Sequence, residues 1–142
     1  MVPADCARAY RANSVLTASP GQLVLMLFDG ALKSLAIARD AFSMPKDDMR
    51  RIAVINQQLI KTQNIITQLQ ATLNLDAGDG KFAQEMYRLY DYYTRRLMEA
   101  NMRKEIGPVI EVERLLGEVR NAWDEMLKQQ DRNSSPSIRN VA

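Results

Sequence analysis

Six large apolar residues in a row, Leu23-Val24-Leu25-Met26-Leu27-Phe28, follow a helix-start signature, and no other stretch constrains the fold as much. Ser19 is placed to cap a helix through its hydroxyl. Pro20 suits the first helical position, where its missing N–H leaves no bond unmade. Gln22 completes a Ser-x-x-Gln capping box. At about 100° per residue, the six side chains that follow point all round the helix, well beyond the roughly 100° stripe that one core face covers. Leaving a large apolar side chain in water forgoes about 1.5–3 kcal/mol of burial. A second surface, from this chain or from a partner, is therefore expected to cover part of this helix.

A chain of 142 residues suits one domain with a real core. Its 46% apolar and 25% charged content is ordinary for a soluble protein. A formal charge of +2 gives no reason to expect nucleic acid or an acidic membrane as partner. No apolar run approaches the roughly 20 residues of a bilayer span, so no membrane insertion is expected. One cysteine, Cys6, makes no disulfide framework and fits a cytoplasmic location. The chain has no histidine, which removes the commonest general base and metal ligand. Asp47 with Asp48, and Glu111 with Glu113, are adjacent or alternate on their helices and do not share a face. No catalytic residue, cofactor or metal is expected.

Four helical segments follow in order. The first runs from Pro20 to about Phe42, with Leu27, Ala31, Leu35, Ala38 and Phe42 on one face. The second, from about Asp47 to Leu73, repeats Ile52, Leu59, Ile66 and Leu73 at sevenfold spacing, the pattern of a bundle seam. Residues 74–80, rich in Asp and Gly, read as a loop. The third helix, Lys81 to about Met102, carries Phe82, Met86, Leu89, Tyr90, Tyr93, Leu97 and Ala100 on a broad stripe. The fourth starts at Gly107-Pro108 and alternates Val109, Val112, Leu116, Val119, Trp123 and Met126 in steps of three and four, with Trp123 expected in the core. Short connections make these an all-α, antiparallel up-down-up-down four-helix bundle over 19–127. Residues 1–18 read as an N-terminal arm, and the polar residues 128–142 as a flexible tail.

Gly78-Asp79-Gly80 lacks the strand and the Gly-Lys-Ser/Thr of a phosphate loop and reads as a turn. Arg88, Arg95, Arg96 and Arg103 alternate with Glu85, Asp91, Glu99 and Glu105, an ion-paired face rather than an RNA surface. Tyr90 and Tyr93 fall on the core stripe; Tyr87 and Tyr92 do not. The second helix carries Asn56, Gln57, Gln58, Gln63, Asn64, Gln68 and Gln70, amides suited to water or to the flank of a peptide groove. Eight methionines add adaptable apolar surface. Together these features favour a bundle whose exterior offers apolar grooves to a peptide.

Four blocks in order resemble the FliS family of flagellin-specific export chaperones. The first is Tyr10-Arg11 through Asn13, Thr17-Ala18-Ser19-Pro20-Gly21-Gln22-Leu23 and Met26-Leu27-Phe28-Asp29-Gly30-Ala31. Gln63-Asn64-Ile65-Ile66 with Leu69, Leu73 and Asp76 forms the second, and Leu89-Tyr90-Asp91-Tyr92 through Arg96-Leu97 to Ala100-Asn101 the third. Val112, Leu115-Leu116 and Arg120-Asn121-Ala122-Trp123 form the last. Phe28 stands where the family usually has tyrosine, and Asp79 interrupts its usual paired glycines. The resemblance implies an antiparallel helical bundle in the cytoplasm that binds the disordered C-terminal segment of flagellin. It further implies that binding blocks premature polymerisation and that the complex is presented to the flagellar type III export gate. The N-terminal arm is implied to share the binding surface, and Asn13, Asp29, Asp91 and Asn101 are implied to fix the fold.

On this reading Tyr10 anchors the arm, and Val15 and Leu16 are its apolar contacts. Leu23, Met26, Ile52, Leu59, Tyr90, Tyr93, Val112 and Val119 are the candidate groove residues. The rival expectation is a structural bundle that uses its surplus apolar surface to form a homodimer.

Overall fold

The computed structural model describes residues 19–141, with side chains described to Asn133. Tyr10, Val15 and Leu16 lie outside the described residues. Four helices follow: α1 Pro20–Ala41, α2 Met49–Ala71, α3 Lys81–Arg103 and α4 Gly107–Val141. Local chemistry sets their ends. Ser19 adopts extended backbone and its Oγ accepts from the Gln22 amide at 3.1 Å, with Pro20 in the first turn. Asp48, rather than Asp47, caps α2 by accepting from the Arg50 amide at 2.9 Å. Gly80, at φ +75°, cannot cap α3 with a side chain, and Asp79 Oδ1 accepts from the Lys81 amide at 3.0 Å instead. The residue that departs from the family's glycine pair thus satisfies one of the helix's free donors. A Cβ at Gly80 would lie 2.6 Å from the Leu75 carbonyl oxygen, on top of the positive φ. Gly80→Ala is expected to cost about 1–3 kcal/mol, read as a lowered urea midpoint. Gly78→Ala, with φ +57° but open space around it, is expected to cost less.

The helices form a ring in which α1 and α3 each pack on both α2 and α4. Inter-helix bonds show the directions. Along α1 and α4, Arg39 meets Glu113, Asp29 meets Arg120, and the Gly21 carbonyl meets Trp123. Rising numbers on one helix match falling order from the other's far end, so the pair is antiparallel. Asn56–Asn101, Gln63–Thr94 and Gln70–Tyr87 give the same result for α2 and α3, and Phe42–Arg51 at the α1–α2 turn completes the alternation.

The core runs along the axis: Phe28, Ala31, Leu35 and Ala38 from α1; Ile55, Leu59, Ile66 and Leu69 from α2; Met86, Tyr90, Tyr93 and Leu97 from α3; and Val109, Val112 and Leu116 from α4. Alanines at the buried positions of α1 let its backbone approach its neighbours closely. By length and composition α1 is apolar enough to cross a membrane, contrary to the sequence expectation that no segment reaches that length. Part of its apolar content is used in the bundle. Phe28, Ala31, Leu35 and Ala38 are sealed by α2 and α4, and Asp29 and Arg39 on the same helix pair with Arg120 and Glu113.

Leu127 is the last buried residue of α4, and Lys128 to Asn133 are exposed. The helix itself continues to Val141. Polar composition over Lys128 to Asn133 withdraws burial, whereas helicity needs only local backbone bonds.

Candidate functional site

The six apolar residues of α1 have very different environments. Phe28 is buried, Leu23, Val24, Leu25 and Leu27 are half-buried, and Met26 is 44% exposed. The partly covered ones border an opening at one end of the bundle. There the start of α1, the end of α2, the start of α3 and the second half of α4 diverge around a cavity of about 560 Å³. Val24 and Phe28 form one wall, Phe82, Met86 and Tyr90 the opposite one, and Val119, Trp123 and Met126 the third; Leu73, Asn74 and Ala77 close the end. A second hollow of about 440 Å³ adjoins it, lined by Pro20, Gly21, Leu23, Leu27, Leu127 and Gln130. Val24, Thr72, Trp123 and Met126 line both. The two form one apolar surface divided by the Trp123 and Met126 side chains.

Trp123 is half-buried rather than a core residue. Its indole N–H donates to the Gly21 carbonyl at 3.0 Å, and its ring lies 6.5 Å from that of Phe28 at a tilt of 51°. That bond holds the indole face in the cavity wall while satisfying the one polar atom that burial would penalise. The approach is close: a Cβ on Gly21 would stand 2.5 Å from Leu127 Cδ2.

No residue lining either hollow carries a carboxylate, ammonium or guanidinium group. Burial raises the Tyr90 phenol pKa above the ordinary range, and neighbouring Tyr93 raises it further, so this wall stays neutral. The chemistry available is the covering of apolar side chains, with Asn74, Thr72 and Gln130 at the margins. Phe82, 71% exposed at the first turn of α3, stands at the rim as an uncovered apolar side chain.

The candidate groove residues divide into three groups. Tyr90 and Val119 line the larger hollow and Leu23 the smaller. Met26 is exposed on α1 but lines neither, and Ile52, 54% exposed, lies at the opposite end of α2. Leu59, Tyr93 and Val112 are core residues at 0–1% exposure and form no groove wall. Sevenfold spacing selects a helix face, but not which part of that face the bundle covers. Sequence reasoning missed Val24, Phe28, Phe82, Met86 and Met126 as lining residues, although Phe82, Met86 and Met126 lie on its apolar stripes and Val24 and Phe28 belong to the opening apolar run. The signal that distinguishes them is position: Phe82 and Met86 follow the loop over 72–80 directly, and the antiparallel register brings the start of α1 and the second half of α4 to the same end of the bundle.

Three of the seven amides of α2 are occupied within the fold. Gln63 Nε2 donates to the Thr94 carbonyl at 3.3 Å, Gln70 Nε2 to the Tyr87 carbonyl at 3.2 Å and to Asp91 Oδ1 at 2.8 Å, and Asn56 accepts from Asn101 at 2.7 Å. Three positions implied to fix the fold thus make inter-helix bonds, with Asp29 holding Arg120 at 2.8 Å. Tyr92, off the core stripe, donates to Glu111 at 2.8 Å, and Arg96 Nε donates to the same carboxylate at 2.7 Å. The Arg96 bond first, then the Tyr92 bond, holds the Glu111 pKa below the usual glutamate range. Because the folded value is depressed, this stabilisation is complete above the ordinary glutamate pKa and is lost as pH falls through the lowered one. Glu111→Gln is expected to lower the melting temperature at neutral pH and to reduce the further loss on acidification. Thermal melts across that acid range check it.

Comparison with known proteins agrees with the geometry. The family described as flagellar protein FliS matches residues 3–130. The chain is 41% identical to the flagellar secretion chaperone FliS of Bacillus subtilis (strain 168) over 132 residues, covering 92% of this chain and 93% of that one. It is 38% identical to the protein of the same name from Salmonella typhimurium (strain LT2), covering 80% and 81%. It is 34% identical to the flagellar secretion chaperone FliSB of Pseudomonas aeruginosa (strain PAO1), covering 78% and 82%. An all-helical bundle with an apolar, uncharged hollow and matches of this extent belongs to the FliS family of flagellar secretion chaperones, which are not enzymes.

Proposed function

We propose that this chaperone binds the disordered C-terminal segment of flagellin in the cytoplasm, keeps it from polymerising prematurely and presents it to the flagellar type III export gate. The observation that carries the reading is the pair of adjoining apolar hollows, open at one end of the bundle with Phe82 uncovered at the rim. Ordering a disordered segment costs about 2–5 kcal/mol of the gross interaction energy, so the contact must bury substantial apolar area. A surface without charge, walled by Met86, Met126 and aromatic rings, suits apolar side chains of varied shape. The residues before Ser19, with Tyr10, Val15 and Leu16, enter this reading as a segment of the same chain that covers part of the surface until the client arrives.

Isothermal titration of the full chain with the C-terminal segment of its cognate flagellin tests the proposal. Saturable one-to-one binding with a negative heat-capacity change is expected, the mark of apolar burial. Absence of binding, or a tight homodimer in light scattering that ignores the peptide, overturns it in favour of an oligomerising bundle.

A further inference from the structure

At the end of the bundle away from the hollows, two cations stand near each other with no anion between them among the described residues. Asn101 Nδ2 donates to Asn56 Oδ1 at 2.7 Å, and beyond these residues, in the antiparallel register, come Lys104, the C-cap of α3 three residues on, and Arg51, five residues earlier on α2. Among the described residues neither has an ion-pair partner: Asp48 pairs with Arg50, while Asp47 and Glu105 are exposed and pair with neither. The Arg51 guanidinium carbon sits 5.5 Å from the centre of the Phe42 ring, and its Nε is buried without a hydrogen-bond partner. The Lys104 ammonium donates to the Asn101 carbonyl and side-chain oxygens. Burial lowers its pKa, and repulsion from Arg51 lowers it further. Lys104 also has φ +53°, a left-handed conformation ordinarily given to glycine.

Two like charges partly removed from water, with no ion-pair partner among the described residues, form an arrangement that an oxyanion stabilises by attracting both. The surrounding field favours one: α2 carries Arg50, Arg51 and Lys61 and no acidic residue over its 23 residues. The same two helix ends expose Met49, Ile52 and Met102. Uncovered apolar side chains beside a cation pair suit a peptide better than a free ion, which has nothing to place on them.

We infer that this end of the bundle is a second docking site, for an acidic peptide segment whose carboxylate bridges Arg51 and Lys104 while an adjacent apolar side chain rests on Ile52 and Met102. It lies about 30 Å along α2 from Thr72 at the hollows, by the ordinary helical rise, so both sites can be filled at once. It does not depend on what occupies the hollows.

Titration of the isotopically labelled full chain, followed by NMR, tests this with three probes: an acetylated Glu-Leu-Glu-Leu amide, its Gln-Leu-Gln-Leu counterpart and inorganic phosphate. The acidic peptide is expected to give saturable shifts at Ile52, Lys104 and the Arg51 Nε–H, with none at Phe82. Lys104→Gly suits the left-handed backbone, relieves the repulsion and is expected to leave the melting temperature unchanged or raised. Lys104→Gly and Arg51→Gln are each expected to weaken binding by about tenfold, the loss of one charge-assisted hydrogen bond. Equal affinity for the amide peptide makes the contact merely apolar and overturns the proposal. So does saturation by phosphate without a response to the acidic peptide, which makes it a small-anion site, and so does an unchanged affinity in a folded Lys104→Gly.

Discussion

Leu59→Asp is expected to unfold the protein, whereas Ile52→Asp, seven residues earlier on the same helix face, is expected to leave it folded. Leu59 is fully buried among the core side chains of all four helices. Shortening a buried leucine costs about 2–5 kcal/mol in lost transfer energy and cavity. The introduced carboxylate adds several kcal/mol more, whether it stays ionised without a partner or is neutralised at raised pKa. A single domain has about 5–15 kcal/mol in total, so most or all of the stability is lost. Ile52 is 54% exposed and lies in the first turn of α2. A carboxylate there reaches water and faces the positive end of the helix dipole, which favours it by about 0.3–1 kcal/mol. Its expected effect on the melting temperature is small. Circular dichroism on the two variants decides the matter. A folded Leu59→Asp or an unfolded Ile52→Asp would mean that the bundle's register is wrong.

Met126→Asp is expected to abolish capture of the flagellin segment while leaving the bundle intact. Met126 lines both hollows and is 36% exposed, so a carboxylate there is hydrated in the free protein. A bound apolar helix would strip that water and offer no charge in return, a cost of several kcal/mol concentrated in the complex. Phe82→Ala removes an uncovered ring from the rim, and a well-packed aromatic anchor of this kind is worth about 2 kcal/mol or more, roughly thirtyfold in affinity. Neither side chain supports the core, so thermal melts of both variants are expected to match the parent. Titration calorimetry with the flagellin segment reads the effect. Unaltered affinity in a folded Met126→Asp would move the client off this surface. Because Met126 and Phe82 lie at the other end of the bundle from Arg51 and Lys104, these variants leave the acidic-peptide titration unaffected.

The helices were legible because their signals are local. Ser19-Pro20 marks the start of α1 through a bond that spans three residues. Sevenfold spacing in α2 marks its buried face, and Asp79 and Gly80 mark the turn before α3. Burial was less legible, for one physical reason: a helical stripe states direction, while coverage depends on how far the neighbouring helices extend. Ile52, Leu59 and Ile66 occupy one stripe, yet Ile52 is exposed because it sits where the bundle ends, and the other two are sealed. Tyr93 and Val112, expected in a groove, lie in the core for the same reason. The amides of α2 show the converse. Gln63 and Gln70 look like polar surface in sequence, but the antiparallel register brings them to carbonyls on α3.

The run from Leu23 to Phe28 marks where the two kinds of information separate. The sequence by itself determined that a helix starts at Ser19-Pro20, that four helices form one bundle, and that α1 carries more apolar surface than one face can bury. Those properties follow from backbone geometry and the hydrophobic effect acting within a few turns. Only the tertiary structure decided that Phe28 goes to the core while Leu23 and Val24 border hollows shared with Trp123 and Met126. That outcome depends on where α3 and α4 diverge from α1, a relation between residues about a hundred positions apart, which helical periodicity does not carry.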